Sequence, residues 1–144
     1  MIALPDVNTL VAVAWPNHIH HHAARRWLLN EGSRGWATSP ITQTGFLRVS
    51  MNPAVVGREV RFTDAVNLLR RYTSHPSHHE WDVVPAPGTW PQWLSDRVQG
   101  YRQVTDAALI AIALHHDGIL VTLNAGIATL LTAEHADRVH LIHP

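Results

Sequence analysis

The chain opens Met1-Ile2-Ala3-Leu4-Pro5-Asp6-Val7-Asn8-Thr9-Leu10. A short apolar run stops abruptly at Asp6, Asn8 follows two residues later, and an apolar, alanine-rich segment resumes at once. This reads as a buried strand over residues 1–5, whose carboxyl end delivers a carboxylate to the top of a sheet, followed by a helix over 7–14. In open α/β folds ligands bind outside the carboxyl ends of the strands. An acid therefore stands where chemistry would sit.

Working outward, residues 20–30 read as a second helix, Gly32 to Gly35 as a turn and 35–38 as a short strand. Ser39-Pro40 starts a helix with a cap residue and a proline at the first position, and Asn52-Pro53 ends it. Residues 58–73 place Val60, Phe62, Ala65, Val66, Leu69 and Tyr72 near helical spacing. A strand is expected over 80–84, a short helix over 91–99 and a mostly buried helix over 105–116. Gly118 ends that helix. Strands over 119–122 and 138–142 then flank a helix over 126–132. Helices alternating with short apolar strands imply an α/β fold with a mostly parallel sheet covered on both faces. No repeat or linker divides residues 1–144, so one domain is expected.

Composition narrows the classes. The chain has 144 residues, 46% hydrophobic and only 15% charged, so it can bury a sizeable core. No apolar run reaches the roughly 18 residues that cross a bilayer, no signal peptide is evident, and the expected location is cytoplasmic. With no cysteine, thiolate metal sites and disulfides are excluded. Net charge is zero, and all 11 basic residues are arginine. Arginine suits bidentate phosphate contact and stacking on bases; a codon bias toward arginine explains the same count. Neither a glycine-rich phosphate loop nor a nucleophile–base pair is present to support a small-molecule hydrolase.

Two further segments put polar groups at strand–helix junctions. In Val104-Thr105-Asp106-Ala107 an aspartate opens an apolar helix, alone no more than a cap. In Leu120-Val121-Thr122-Leu123-Asn124-Ala125-Gly126 a strand ends at an asparagine beside a glycine, alone no more than a turn. Together with Pro40-Ile41-Thr42-Gln43-Thr44-Gly45-Phe46-Leu47-Arg48, and with Asn52-Pro53, they form a specific set over essentially the whole chain. This set resembles the PIN-domain ribonucleases, and specifically the VapC toxins of bacterial type II toxin–antitoxin systems.

The resemblance implies a three-layer α/β/α fold with a central sheet of about five strands. It implies Mg²⁺ or Mn²⁺ held by acids at the carboxyl ends of the strands, and endonucleolytic cleavage of RNA by metal-activated water. Hard divalent cations take oxygen ligands, and Mg²⁺ commonly uses one or two carboxylates with waters and phosphate oxygens. Asp6 and Asp106 match two acids of the family and are the expected metal ligands. Gln43 and Asn124 stand where the family commonly has acids; they are expected as weaker ligands or as orienters of water. Restoring an acid at either position is expected to tighten metal binding. Asn8 is expected to support Asp6 by hydrogen bonding. Thr105 and Thr122 read as partners of the site, or equally as a cap and a strand end. A cognate VapB-like antitoxin and a homodimer are implied as partners, with no membrane and no organic cofactor. The alternative is a catalytically weakened PIN domain that serves as an RNA- or antitoxin-binding module.

Remaining features have plainer readings. His18-Ile19-His20-His21-His22 has two histidines four apart, which would suit a metal on a helix face, but it reads chiefly as a solvated run. Trp15, Trp81, Trp90 and Trp93 are core residues by default, or stacking surfaces for bases. Arg25, Arg26, Arg48, Arg58, Arg61, Arg70 and Arg71 are available to track an RNA backbone or simply to face solvent.

Overall fold

A computed structural model describes residues 1–144. Five strands form a single sheet: β1 (Ala3–Pro5), β2 (Trp36–Thr38), β3 (His78–Glu80), β4 (Ile119–Thr122) and β5 (Val139–Leu141). Their order is β3-β2-β1-β4-β5, and every pairing is parallel. The chain builds outward from β1 through β2 to β3, then crosses to the other side of β1 for β4 and β5. The direction of winding reverses between β1 and β4, and such a switch point opens a crevice beyond the strand ends.

The strand residues alternate between two cores, as a pleat with period two requires. Ala3, Trp36 and Val121 face one side and meet Leu10, Val11, Trp15, Trp27 and Phe46. These come from the helices α1 (Val7–Ala14), α2 (His21–Glu31) and α3 (Pro40–Ser50), joined on that side by α5 (Phe62–Thr73). Leu4, Ala37 and Leu120 face the other side and meet Leu109, Ile110 and Ile112 of α7 (Val104–His115), together with Trp81, Leu94, Ile127 and Leu130. The result is the expected three-layer α/β/α sandwich. Burying a side chain such as Leu4 or Ile112 contributes roughly 1.5–3 kcal/mol each, and both are fully buried.

Pro5 explains why β1 ends where it does. It has no N–H to give the ladder, so only Ala3 of β1 is in register with β2. The backbone N–H of Asp6 then resumes bonding, to the Val121 carbonyl at 2.9 Å. The chain leaves the sheet with its acid held against β4.

Several elements differ from their expected bounds. The helix expected over 58–73 begins at Phe62, because Gly57 turns with a left-handed φ of 79° and the cap residue Arg61 is still extended. A short α4 (Pro53–Val56) follows the Asn52 cap. The helix expected over 91–99 is the single turn α6 (Gln92–Ser95), and the one expected over 126–132 is a 3₁₀ segment, Ala125–Leu130. The third strand is His78–Glu80 rather than 80–84; it starts directly after the His75–Ser77 turn. No helix is long and apolar enough to cross a membrane.

Candidate functional site

Asp6 is the N-cap of α1, and its side chain is almost wholly buried. Burying a carboxylate is costly unless donors surround it. Here the Thr9 backbone N–H donates to Oδ1 at 2.8 Å, and the Thr122 hydroxyl donates to Oδ2 at 2.5 Å. Thr122, at the end of β4, is also buried. Its oxygen accepts the Asn124 backbone N–H at 3.0 Å.

Asn124 closes the circuit. Its Oδ1 caps the following 3₁₀ segment by accepting from Gly126 N at 3.0 Å. That fixes the amide orientation and leaves Nδ2 to donate to Asp106 Oδ2 at 3.2 Å. Asp106 lies in the first turn of α7. Asp6, Thr122, Asn124 and Asp106 thus form one hydrogen-bonded chain across the switch point between β1 and β4. Burial raises the Asp106 carboxyl above the ordinary aspartate value, the nearby Asp6 raises it further, and the Asn124 amide opposes both.

Two carboxylates brought this close repel one another, and a bound divalent cation would relieve that repulsion. No third Asp, Glu or His converges on them. The donor set of two carboxylates fits Mg²⁺ or Mn²⁺ held with water and phosphate oxygens.

The other expected site residues lie nearby along the top of the sheet, with different partners. Asn8 does not bond Asp6. It is exposed, and its Oδ1 lies 2.9 Å from His18 Nε2. The support expected from Asn8 comes instead from Thr9 and Thr122. Thr105 is exposed at the start of α7. Gln43, in the first turn of α3 behind the Ser39–Thr42 capping box, sits over β2 and β3. Its Nε2 donates to Thr38 Oγ1 at 2.8 Å and to both Glu80 oxygens at 2.8 and 2.7 Å. A glutamate at position 43 would face the Glu80 carboxylate.

Glu80 and Thr38 are the polar groups that the sequence reading missed. With a strand drawn over 80–84, Glu80 falls at its start. With the strand at His78–Glu80 it falls at the carboxyl end, level with Thr38. The turn at His75-Pro76-Ser77 was the signal, since a strand can begin as soon as a turn is complete.

The histidine run serves local structure. His18 Nδ1 accepts the His20 backbone N–H at 3.0 Å, and His21 Nδ1 bonds the Ala12 carbonyl at 2.8 Å. Trp15 and Trp81 are core residues; Trp93 stacks on His135 and Trp81 on His116. Arg58 lies over the Trp15 ring and Arg61 pairs with Asp64.

Known proteins are similar to this chain over most of its length. A family model described as "PIN domain" matches residues 3–130. Ribonuclease VapC39 of Mycobacterium tuberculosis is 42% identical over 135 residues, covering 92% of this chain and 96% of that protein. Ribonuclease VapC38 of the same species is 41% identical over 131 residues, covering 90% and 89%. Ribonuclease VapC44 is 37% identical over 141 residues, covering 98% of each. A parallel α/β/α sandwich, paired aspartates at its switch point and a family match over most of the sequence agree: this chain belongs to the PIN-domain family, alongside members named VapC.

Proposed function

We propose that this protein is a VapC-type endoribonuclease, the toxin of a type II toxin–antitoxin pair, acting on RNA in the cytoplasm with Mg²⁺ or Mn²⁺. The observation that carries this reading is the Asp6–Thr122–Asn124–Asp106 chain at the strand ends, in a fold whose relatives are named ribonucleases. A bound divalent cation would supply Lewis-acid polarisation of the scissile phosphate and a lowered pKa for attacking water.

The protein's own residues do the rest. Thr122 and the Thr9 N–H hold the Asp6 carboxyl in place. Asn124 orients Asp106 and leaves one of its oxygens free of that bond. No side chain is needed as a covalent nucleophile. A VapB-like antitoxin would silence the protein by covering this crevice, and a homodimer is the proposed assembly.

The test is cleavage of single-stranded and structured RNA by purified protein, with Mn²⁺ or with EDTA, beside Asp6→Ala. Cleavage that vanishes both in EDTA and in the variant is the expected result. RNA binding without cleavage under every metal condition would replace this reading with that of a binding module, which the amides at 43 and 124 favour.

A further inference from the structure

The side chain of Gln43 is held by a directional hydrogen-bond chain that the paired aspartates do not share. A carboxylate only accepts, so the amide nitrogen, not the oxygen, must face Glu80. One N–H goes to Glu80 and the other to Thr38 Oγ1. Thr38, fully buried, thus accepts one hydrogen bond, and its own hydroxyl proton is available to His78 Nε2 at 2.8 Å. His78 is anchored in turn by the Trp36 ring, edge-on at 4.8 Å, and by the Thr73 backbone. Both amide protons of Gln43 are committed to the β2–β3 side, and its carbonyl oxygen accepts from no protein donor.

We propose that Glu80 is a positioning residue of the site. Through a charge-assisted hydrogen bond it holds the Gln43 amide in one orientation, with the carbonyl oxygen presented to a metal-bound water or a phosphate-bound cation. This inference rests on the ribonuclease reading above. It explains how an amide serves where an acid would be expected. A freely rotating glutamine would offer its N–H₂ half the time, whereas one clamped by Glu80 offers only oxygen. Groups of this kind, one step removed from a metal, change activity by about 10- to 100-fold when removed.

The test uses the full-length protein and the variants Glu80→Ala, Glu80→Gln, Gln43→Leu, Gln43→Glu and the swap Gln43→Glu/Glu80→Gln. Expected for Glu80→Ala is a kcat on fluorogenic RNA lowered about tenfold, with KM and melting temperature close to the parent. Glu80→Gln, which keeps an acceptor oxygen, falls between. Gln43→Glu alone is impaired by its like-charged neighbour, and the swap recovers activity by restoring a donor–acceptor pair.

A second readout needs no activity. The Gln43 side-chain amide resonances, identified by their loss in Gln43→Leu, shift on Glu80→Ala. Mn²⁺ broadens them before those of Gln92, Gln99 and Gln103, and several-fold more Mn²⁺ is needed after Glu80→Ala. Unmoved Gln43 resonances in Glu80→Ala overturn the proposal. So does a Glu80→Ala protein with parental kcat, or a Gln43→Leu protein that cleaves normally. If the parent cleaves no RNA the ribonuclease reading fails by itself, and the resonances still decide whether Glu80 orients Gln43 toward a cation.

Discussion

Asp106 is the residue whose chemistry is under most tension. Its carboxyl is raised by burial and by Asp6. The native protein therefore keeps a proton there at pH values where the unfolded chain has released it. Stability falls as pH rises from the ordinary aspartate range through the raised one, so at neutral pH the ionised group destabilises the metal-free fold. Asp106→Asn is expected to melt at a higher temperature than the parent in EDTA while losing RNA cleavage. Differential scanning fluorimetry beside a cleavage assay checks both halves; a lower melting temperature would count against the assigned repulsion. Asn124→Asp should do the opposite. It replaces the donor to Asp106 with a third carboxylate, lowering stability in EDTA and tightening Mn²⁺ binding by calorimetry. Thr122→Val keeps shape but strips the hydroxyl from buried Asp6 Oδ2. An unsatisfied buried group costs about 1–3 kcal/mol, a loss readable in urea unfolding at neutral pH.

At the scale of elements, the contact between α1 and α3 sets how the Asp6 end of α1 is spaced from Gln43 on α3. Gly45 is the point of closest approach: a Cβ there would lie 2.4 Å from Val7 Cγ2. Val7 directly follows Asp6, so pushing α3 away disturbs the cap of α1 as well as the core. Gly45→Ala is expected to destabilise by about 1–3 kcal/mol, the cost of overpacking, and to lower activity. A variant as stable as the parent in urea would show that α3 can retreat freely. Such contacts also mark what the sequence could convey. Asp6, Asp106 and Asn124 were legible because each ends a strand or starts a helix with an unmistakable apolar run beside it. Glu80 was not, since β3 is a three-residue edge strand, His78–Glu80, with no buried residue; its hydrophobic pattern is nearly absent. The partner of Asn8 was hidden for another reason. His18 reaches it across the loop after α1, and a tertiary contact leaves no periodic trace.

For the whole molecule, the alternation of strands and helices was enough to predict a parallel sandwich, and the sheet is parallel throughout. Twelve histidines make the pH response a global property. Burial lowers both His18 and His78 below the usual histidine value, with neighbouring histidines adding to the effect. In each case the unfolded chain binds the proton first. Stability is therefore fully present above about pH 6.5 and is lost as pH falls from there through the lowered values. Each ring accepts a bond that protonation removes: His18 Nδ1 from His20 N, and His78 Nε2 from Thr38. Melting temperature should drop between pH 7 and pH 5, with a shallower slope in the double variant His18→Gln/His78→Gln. Equal slopes would place the pH response elsewhere among the histidines.

The bond between Thr122 and Asp6 spans 116 positions of sequence. A chain emerging from the ribosome exposes its first acid early, yet only the nearby Thr9 N–H can steady that carboxylate until β4 has been made and has paired beside β1. The last quarter of translation is thus the moment at which the crevice comes into being. A truncated product, or a nascent chain stalled before Thr122, carries Asp6 without the neighbours that make it useful. The order of the strands alone thus delays the completed crevice until the chain is nearly finished.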